Sequence, residues 1–152
     1  MTARQPASVT DAALRLLGRR AYSRRELADR LSAKGYEQRE TDEALARLVS
    51  WGYLDDRAVA RHALEECQMR RPRGRDLLVQ ELLARGIPDA IVQEVLSGYT
   101  RNAEESSAKA ALVRLGLTRP LGAKDRGRAW RALARLGFAE PTIERICGLS
   151  DP

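Results

Sequence analysis

Leu31-Ser32-Ala33-Lys34-Gly35-Tyr36, Leu82-Leu83-Ala84-Arg85-Gly86-Ile87 and Leu133-Ala134-Arg135-Leu136-Gly137-Phe138 are three versions of one phrase. Each runs from a leucine through helix-compatible residues to a glycine, and then to a bulky apolar side chain. They lie 51 residues apart, and then 51 again. A period near 50 in a helical pattern marks a repeated supersecondary unit. The register extends outward. Leu27 and Leu78 match, while the third copy shifts its large residue by one position to Trp130. Val92 and Val95 correspond to Ile143 and Ile146; a longer loop in the first copy delays its Leu45 and Leu48.

Helices can be drawn inside each copy. Val9, Ala13, Leu16 and Leu17 mark a first helix closed by Gly18. Ser23-Arg24-Arg25-Glu26 has the form of a capping box, in which the serine serves the amide three residues on and the glutamate reaches back. Leu27 and Leu31 line that second helix, and Gly35 ends it in a left-handed cap. A third helix runs from about Thr41 to Trp51 and is closed by Gly52. In the second copy Asp55 is an N-cap, and Val59, Ala63 and Cys67 form a stripe. Pro72 ends that helix, a second helix spans about 74–85, and Pro88 takes the first position of a third. Asn102 and Glu105 form a capping pair for the third copy, where Ala108, Ala111, Leu112 and Leu115 make the stripe. Trp130 and Leu133 sit on the next helix and Pro141 opens the last. No alternation is long enough for a strand; Gly52-Tyr53-Leu54 is the best candidate and is too short. The expected fold is therefore all-α: three tandem three-helix, helix-turn-helix-like repeats in an elongated or curved array. The expected divisions are a flexible N-terminus at 1–8 and repeats at 9–54, 55–100 and 101–149.

Composition narrows the function classes. The chain has 152 residues, 43% of them hydrophobic and 5% aromatic, and a net charge of +6. No apolar run approaches the ~20 residues of a membrane span. The first eight residues contain no signal-like apolar segment, so a cytoplasmic monomer is expected. Cys67 and Cys147 stand alone and read as small buried residues. His62, the only histidine, has no companion ligands or triad partners. Asp55-Asp56 and Glu65-Glu66 read as caps and a solvated face rather than acid–base pairs. No phosphate-binding glycine loop, metal cluster or nucleophile–base pair is present, so neither catalysis nor a cofactor is expected. Trp51 and Trp130 fall at helix ends or on apolar stripes and read as core, leaving no aromatic stacking platform.

The positive charge is phased with the repeat. Arg24, Arg75 and Arg126 share the 51-residue spacing, each at or near the start of a second helix. Around them lie Arg19, Arg20 and Arg25; Arg70, Arg71 and Arg73; and Lys124, Arg128 and Arg131. Residues 70–75 hold four arginines and no acid. Cations at a helix N-terminus oppose the macrodipole, but free amides, dipole and arginine together suit an anion. A solvated basic loop is the plain alternative. An anionic partner, nucleic-acid backbone or acidic protein, is the reading the phasing favours.

These residues resemble the RecX family of RecA regulators. The first copy carries Tyr22-Ser23-Arg24-Arg25-Glu26-Leu27, then Leu31 to Tyr36, then Gly52-Tyr53-Leu54-Asp55-Asp56. The second carries Arg73-Gly74 and Glu81-Leu82 through Gly86-Ile87. The third keeps a looser Leu133 to Phe138 and Ile143. The resemblance covers about residues 10–148. It implies a regulator, expected to be an inhibitor, that binds the RecA filament on single-stranded DNA. Such a protein limits filament growth, ATP hydrolysis and strand exchange. The contact residues implied are Arg24, Arg25, Arg70, Arg71, Arg73, Arg75, Lys124, Arg126, Arg128 and Arg131. A free-standing helix-turn-helix-like nucleic-acid binder is the alternative.

Overall fold

The computed structural model describes residues 7–117 and 121–148. Among them lie nine α-helices and no strand. The first three are α1 (Val9–Leu17), α2 (Arg24–Ala33) and α3 (Gln38–Ser50). They are followed by α4 (Asp56–Met69), α5 (Arg75–Ala84) and α6 (Asp89–Leu96). The last three are α7 (Arg101–Arg114), α8 (Ala123–Arg135) and α9 (Glu140–Cys147).

Each group of three closes on its own core. Ala13, Leu27, Leu31, Leu45, Leu48 and Leu54 fill the first. Val59, Cys67, Leu78, Leu82, Ile87 and Leu96 fill the second. Leu112, Leu133, Phe138, Ile143 and Ile146 fill the third. Side chains three and four positions apart supply every one of these stripes, which is why the helical period was readable. The repeated glycine phrase now has a geometry. Gly86 and Gly137 take φ of 77° and 80°, and the next residue, Ile87 or Phe138, turns back into the core. Its amide is held by the carbonyl five residues earlier: Ile87 by Leu82 at 3.2 Å and Phe138 by Leu133 at 3.1 Å.

The capping box of Ser23 and Glu26 is present in full, and Asp55 caps α4 by accepting from the amides of Arg57 and Ala58. Other local expectations need correction. The cap of α7 is Thr100, which accepts from Ala103 N–H at 3.3 Å, so Asn102 and Glu105 lie inside the helix instead of opening it. Pro88 is the N-cap of α6, not its first residue. Ala129 keeps the buried register of Leu27 and Leu78, with Trp130 packed beside it. Leu115 caps the end of α7 and is 47% exposed, so it leaves the stripe. Residues 1–6 of the expected flexible N-terminus fall outside the described residues; Ser8 caps α1 by accepting from Asp11 N–H at 3.1 Å.

Trp51 reverses its expectation. Helix α3 stops one residue before it, and the turn at Gly52 sends Leu54 into the core. Trp51 is 56% exposed and Tyr53 62% exposed.

Candidate nucleic-acid and protein interface

The three basic clusters meet different fates in three dimensions. Around the first repeat, Arg24 and Arg25 are exposed. Arg20 lies over the Tyr22 ring, 3.8 Å from its centroid, and reaches Glu26 at 3.6 Å. In the second, Arg70 and Arg71 are exposed where α4 ends. Arg73 is not: it is 8% exposed and ion-paired with Glu81. Its guanidinium also donates to the Ala63 carbonyl at 3.4 Å, and its own carbonyl accepts from Tyr99 Oη at 2.8 Å. Burial pushes the Tyr99 hydroxyl pKa upward, keeping it a neutral donor. Arg75 is half-buried and caps the end of α6, donating to the Leu96 carbonyl at 2.5 Å and to Gln93 Oε1 at 3.1 Å. Both arginines thus leave the expected contact set. A charge inside a small helical unit must find partners, and these two hold the second repeat together.

The third cluster stays outside. Lys124, Arg126, Arg128 and Arg131 are all exposed on α8. Arg128 pairs with Asp125 at 3.4 Å, and Arg126 Nε donates to the Leu121 carbonyl at 3.2 Å. Helix α8 begins a turn earlier than its counterparts, so Arg126 sits a turn inside the helix while Arg24 and Arg75 occupy the first position.

The first-turn amides also differ from expectation. In the first two repeats they are already taken by carboxylates of the next repeat. Arg24 N–H donates to Asp56 Oδ1 at 2.8 Å, and Arg75 N–H donates to Glu104 Oε1 at 2.9 Å. The anion that these helix ends select is intramolecular. Sequence alone did not pair them because each partner lies 29 to 32 residues away. Arg24, Arg25, Arg70, Arg71, Lys124, Arg126, Arg128 and Arg131 remain as an exposed cationic set spread over three repeats. An exposed arginine can engage phosphate or carboxylate through paired N–H groups, a lysine as a point charge. Beside Arg71, a cleft of about 300 Å³ opens between the second and third repeats, with Arg114 and the apolar Leu77, Leu115 and Leu136 in its walls. Exposed Trp51 and Tyr53 add an aromatic surface that the sequence did not announce.

The RecX model for the first three-helix domain matches residues 11–48, and that for the second matches residues 55–96. A regulatory protein RecX from Thermus thermophilus is 43% identical over 126 residues, 83% of this chain and 80% of its own. The chain belongs to the RecX family. A relative from Chlorobium phaeobacteroides is 37% identical over 93 residues, 61% of this chain and 62% of that protein. The solved structure of RecX from Lactobacillus salivarius shares the fold, with a TM-score of 0.76 at 19% identity, covering 93% of this chain and 96% of that one. The family is one of regulatory proteins, and among the described residues no group of three or more His, Cys, Asp or Glu is placed to hold a metal. No described helix is long and apolar enough to cross a membrane.

Proposed function

We propose that this chain regulates RecA by binding the RecA filament on single-stranded DNA in the cytoplasm and limiting its growth, ATP hydrolysis and strand exchange. Membership of the RecX family supports a regulator. The exposed cations on all three repeats carry the step to a polyanionic, extended partner. Contacts on successive repeats act together, so modest single sites sum to a useful affinity. Arg24, Arg25, Arg70, Arg71, Lys124, Arg126, Arg128 and Arg131 form the proposed contact set; Arg73 and Arg75 support it from inside.

The experiment is RecA-catalysed strand exchange and single-stranded-DNA-dependent ATP hydrolysis, with and without the protein at filament-stoichiometric amounts. Suppression of both is expected, and an unchanged time course would sink the proposal. DNA titration without RecA separates this from a free-standing helix-turn-helix-like binder. Weak, salt-sensitive and sequence-independent binding is expected; tight, sequence-selective duplex binding would favour the other reading.

A further inference from the structure

The repeats are joined in the same way twice, and the second joint carries leucine where the first carries an ion pair. In both joints the first turn of one repeat's second helix sits on the glycine turn that ends the second helix of the next repeat. At the first joint, Ser23 Oγ donates to the Arg85 carbonyl, and the aliphatic stem of Arg25 covers Gly86 so closely that a Cβ there would overlap it. Glu26, the third residue of α2, meets the Arg85 guanidinium at 3.1 Å. At the second, Gly74 N–H donates to the Leu136 carbonyl at 2.7 Å. Gly74 also lies so near Gly137 and Phe138 that a Cβ would overlap their backbone. The third residue of α5 is Leu77, and the residue before the glycine is Leu136.

Leu77 and Leu136 form two walls of the cleft between the second and third repeats, and Leu115, at the end of α7, forms a third. Leu115 is 47% exposed, so this apolar surface faces water. The charge around it is one-sided. Glu81, the only carboxylate among the described lining residues, is taken by buried Arg73. Arg71 and Arg114 are exposed, and neither guanidinium has a hydrogen-bond or ion-pair partner among the described residues. Arg73 Nε, buried, also lacks a partner among them. Leucine walls are thus bordered by cationic donors that the repeat itself does not satisfy.

That combination selects an occupant on two grounds. Leucine walls gain from aliphatic side chains brought out of water, while a sugar or phosphate would lose its hydration against them. Unpaired bases stack on aromatic rings, and no aromatic side chain is among the described residues lining the cleft. The arginines beside the walls bind carboxylates through paired N–H groups. An apolar centre with arginine at its edge is the anatomy of a protein interface.

We propose that the cleft docks an acidic, leucine-bearing segment of a partner protein. The segment inserts aliphatic side chains among Leu77, Leu115 and Leu136 and sets carboxylates on Arg71 and Arg114. A cleft of about 300 Å³ is at the lower end for binding pockets, so the segment is short and holds by a few anchor side chains. The inference goes beyond the proposed function and does not rest on it: it assigns one surface to protein, whatever the other arginines contact.

The test is an NMR titration of the full-length protein, with isotope-labelled leucine methyl groups, by the capped peptide Glu-Leu-Glu-Leu-Glu. Saturable shifts are expected at the methyls of Leu77, Leu115 and Leu136. Replacing the peptide's leucines by serine, or its glutamates by lysine, is expected to weaken binding about tenfold in each case, since either change removes one half of the recognition. Leu115→Gln is expected to weaken it by a similar factor, and Arg114→Glu to abolish the preference for glutamate over lysine. Both side chains are exposed, so circular dichroism stays as in the parent protein. No saturable shift at the three leucines overturns the proposal. So does equal binding of the serine peptide, or peptide binding that neither substitution changes. Oligothymidylate that produces the same leucine shifts and displaces the peptide would make the cleft a nucleic-acid surface instead.

Discussion

The two joints between repeats share a frame of hydrogen bonds and differ in what fills it. The first is polar: Ser23 on the Arg85 carbonyl, Glu26 on the Arg85 guanidinium, Arg24 N–H on Asp56. The second keeps two such hydrogen bonds, Gly74 N–H on the Leu136 carbonyl and Arg75 N–H on Glu104, but where the first has its ion pair it has close backbone packing, with Gly74 pressed on Gly137 and Leu77 beside Leu136. A hydrogen-bonded joint tolerates small shifts and responds to pH. A joint defined by two backbones in contact tolerates no added atom. Exchanging the residues that begin α2 and α5 breaks the comparison most sharply. Gly74→Ser places a side chain against the backbone of Gly137 and should cost about 3 kcal/mol, at the upper end for overpacking. Ser23→Gly loses a cap and one hydrogen bond and should cost roughly 1 kcal/mol. Urea midpoints at constant slope give both values, and equal losses would mean that the joints do not differ as described.

The second repeat poses the next question, whether its arginines act inward or outward. Arg73→Ala removes a buried partner of Glu81. Breaking a fully buried pair costs about 3–5 kcal/mol, but Glu81 retains 37% of its side-chain exposure, so roughly 2 kcal/mol is expected. The salt dependence of DNA binding should not change. Arg70→Ala with Arg71→Ala should do the reverse, lowering the salt slope by up to about 2 with stability nearly unaltered. If Arg73→Ala flattened the salt slope at full stability, the inward assignment would fail.

That division explains what the sequence disclosed. The cores were legible because Leu27, Leu31, Leu78, Leu82 and Leu133 recur at helical spacing, and because the glycine after each phrase announces a stop. The Ser23–Glu26 box was legible because both partners lie within one turn. What stayed hidden was long-range. Arg73 and Arg75 look like their exposed neighbours until Glu81 and the end of α6 are folded against them. Asp56 read as part of a cap and Glu104 was not singled out, and their service to the preceding repeat has no local signature. Trp51 misled because its place on the α3 stripe lies just past the helix end, where Leu54 turns in first.

Acid should separate the joints without any mutation. Burial raises the Glu26 pKa, but its bonds to Arg85 and to Ser23 N–H, with the charges of Arg85 and Arg20, outweigh this and leave it below the ordinary value. A carboxylate depressed by folding contributes stability above its unfolded pKa, roughly 4.3, and that contribution disappears as pH falls through the folded value. The first joint should therefore loosen on acidification below about pH 4, seen as faster amide exchange in α2 than in α8. The second joint has Leu77 and Leu136 at the place where the first has the Glu26–Arg85 pair. Glu26→Gln should remove this part of the acid response and cost roughly 1 kcal/mol at neutral pH, an ion pair partly open to water being discounted for screening. An acid profile unchanged by that substitution would detach Glu26 from the joint's pH response.

The smallest expected effect on stability concerns the aromatic surface that follows α3. Trp51 is more than half exposed and follows the last residue of α3, so Trp51→Ala should alter the urea midpoint by no more than about 0.5 kcal/mol. Its neighbour in exposure, Tyr53, is in the same turn, while Leu54 alone carries that turn into the core. An exposed tryptophan and tyrosine one residue apart give a surface on which unpaired bases stack, worth roughly 1–3 kcal/mol per base where contact is made. The substitution should then weaken single-stranded DNA or filament binding without shifting the salt slope, because stacking releases no counterions. Fluorescence quenching measured in a Trp130→Phe background isolates Trp51. A loss of stability that matches the loss of binding would instead make Trp51 a packing residue, as its place at the end of the apolar stripe first implied.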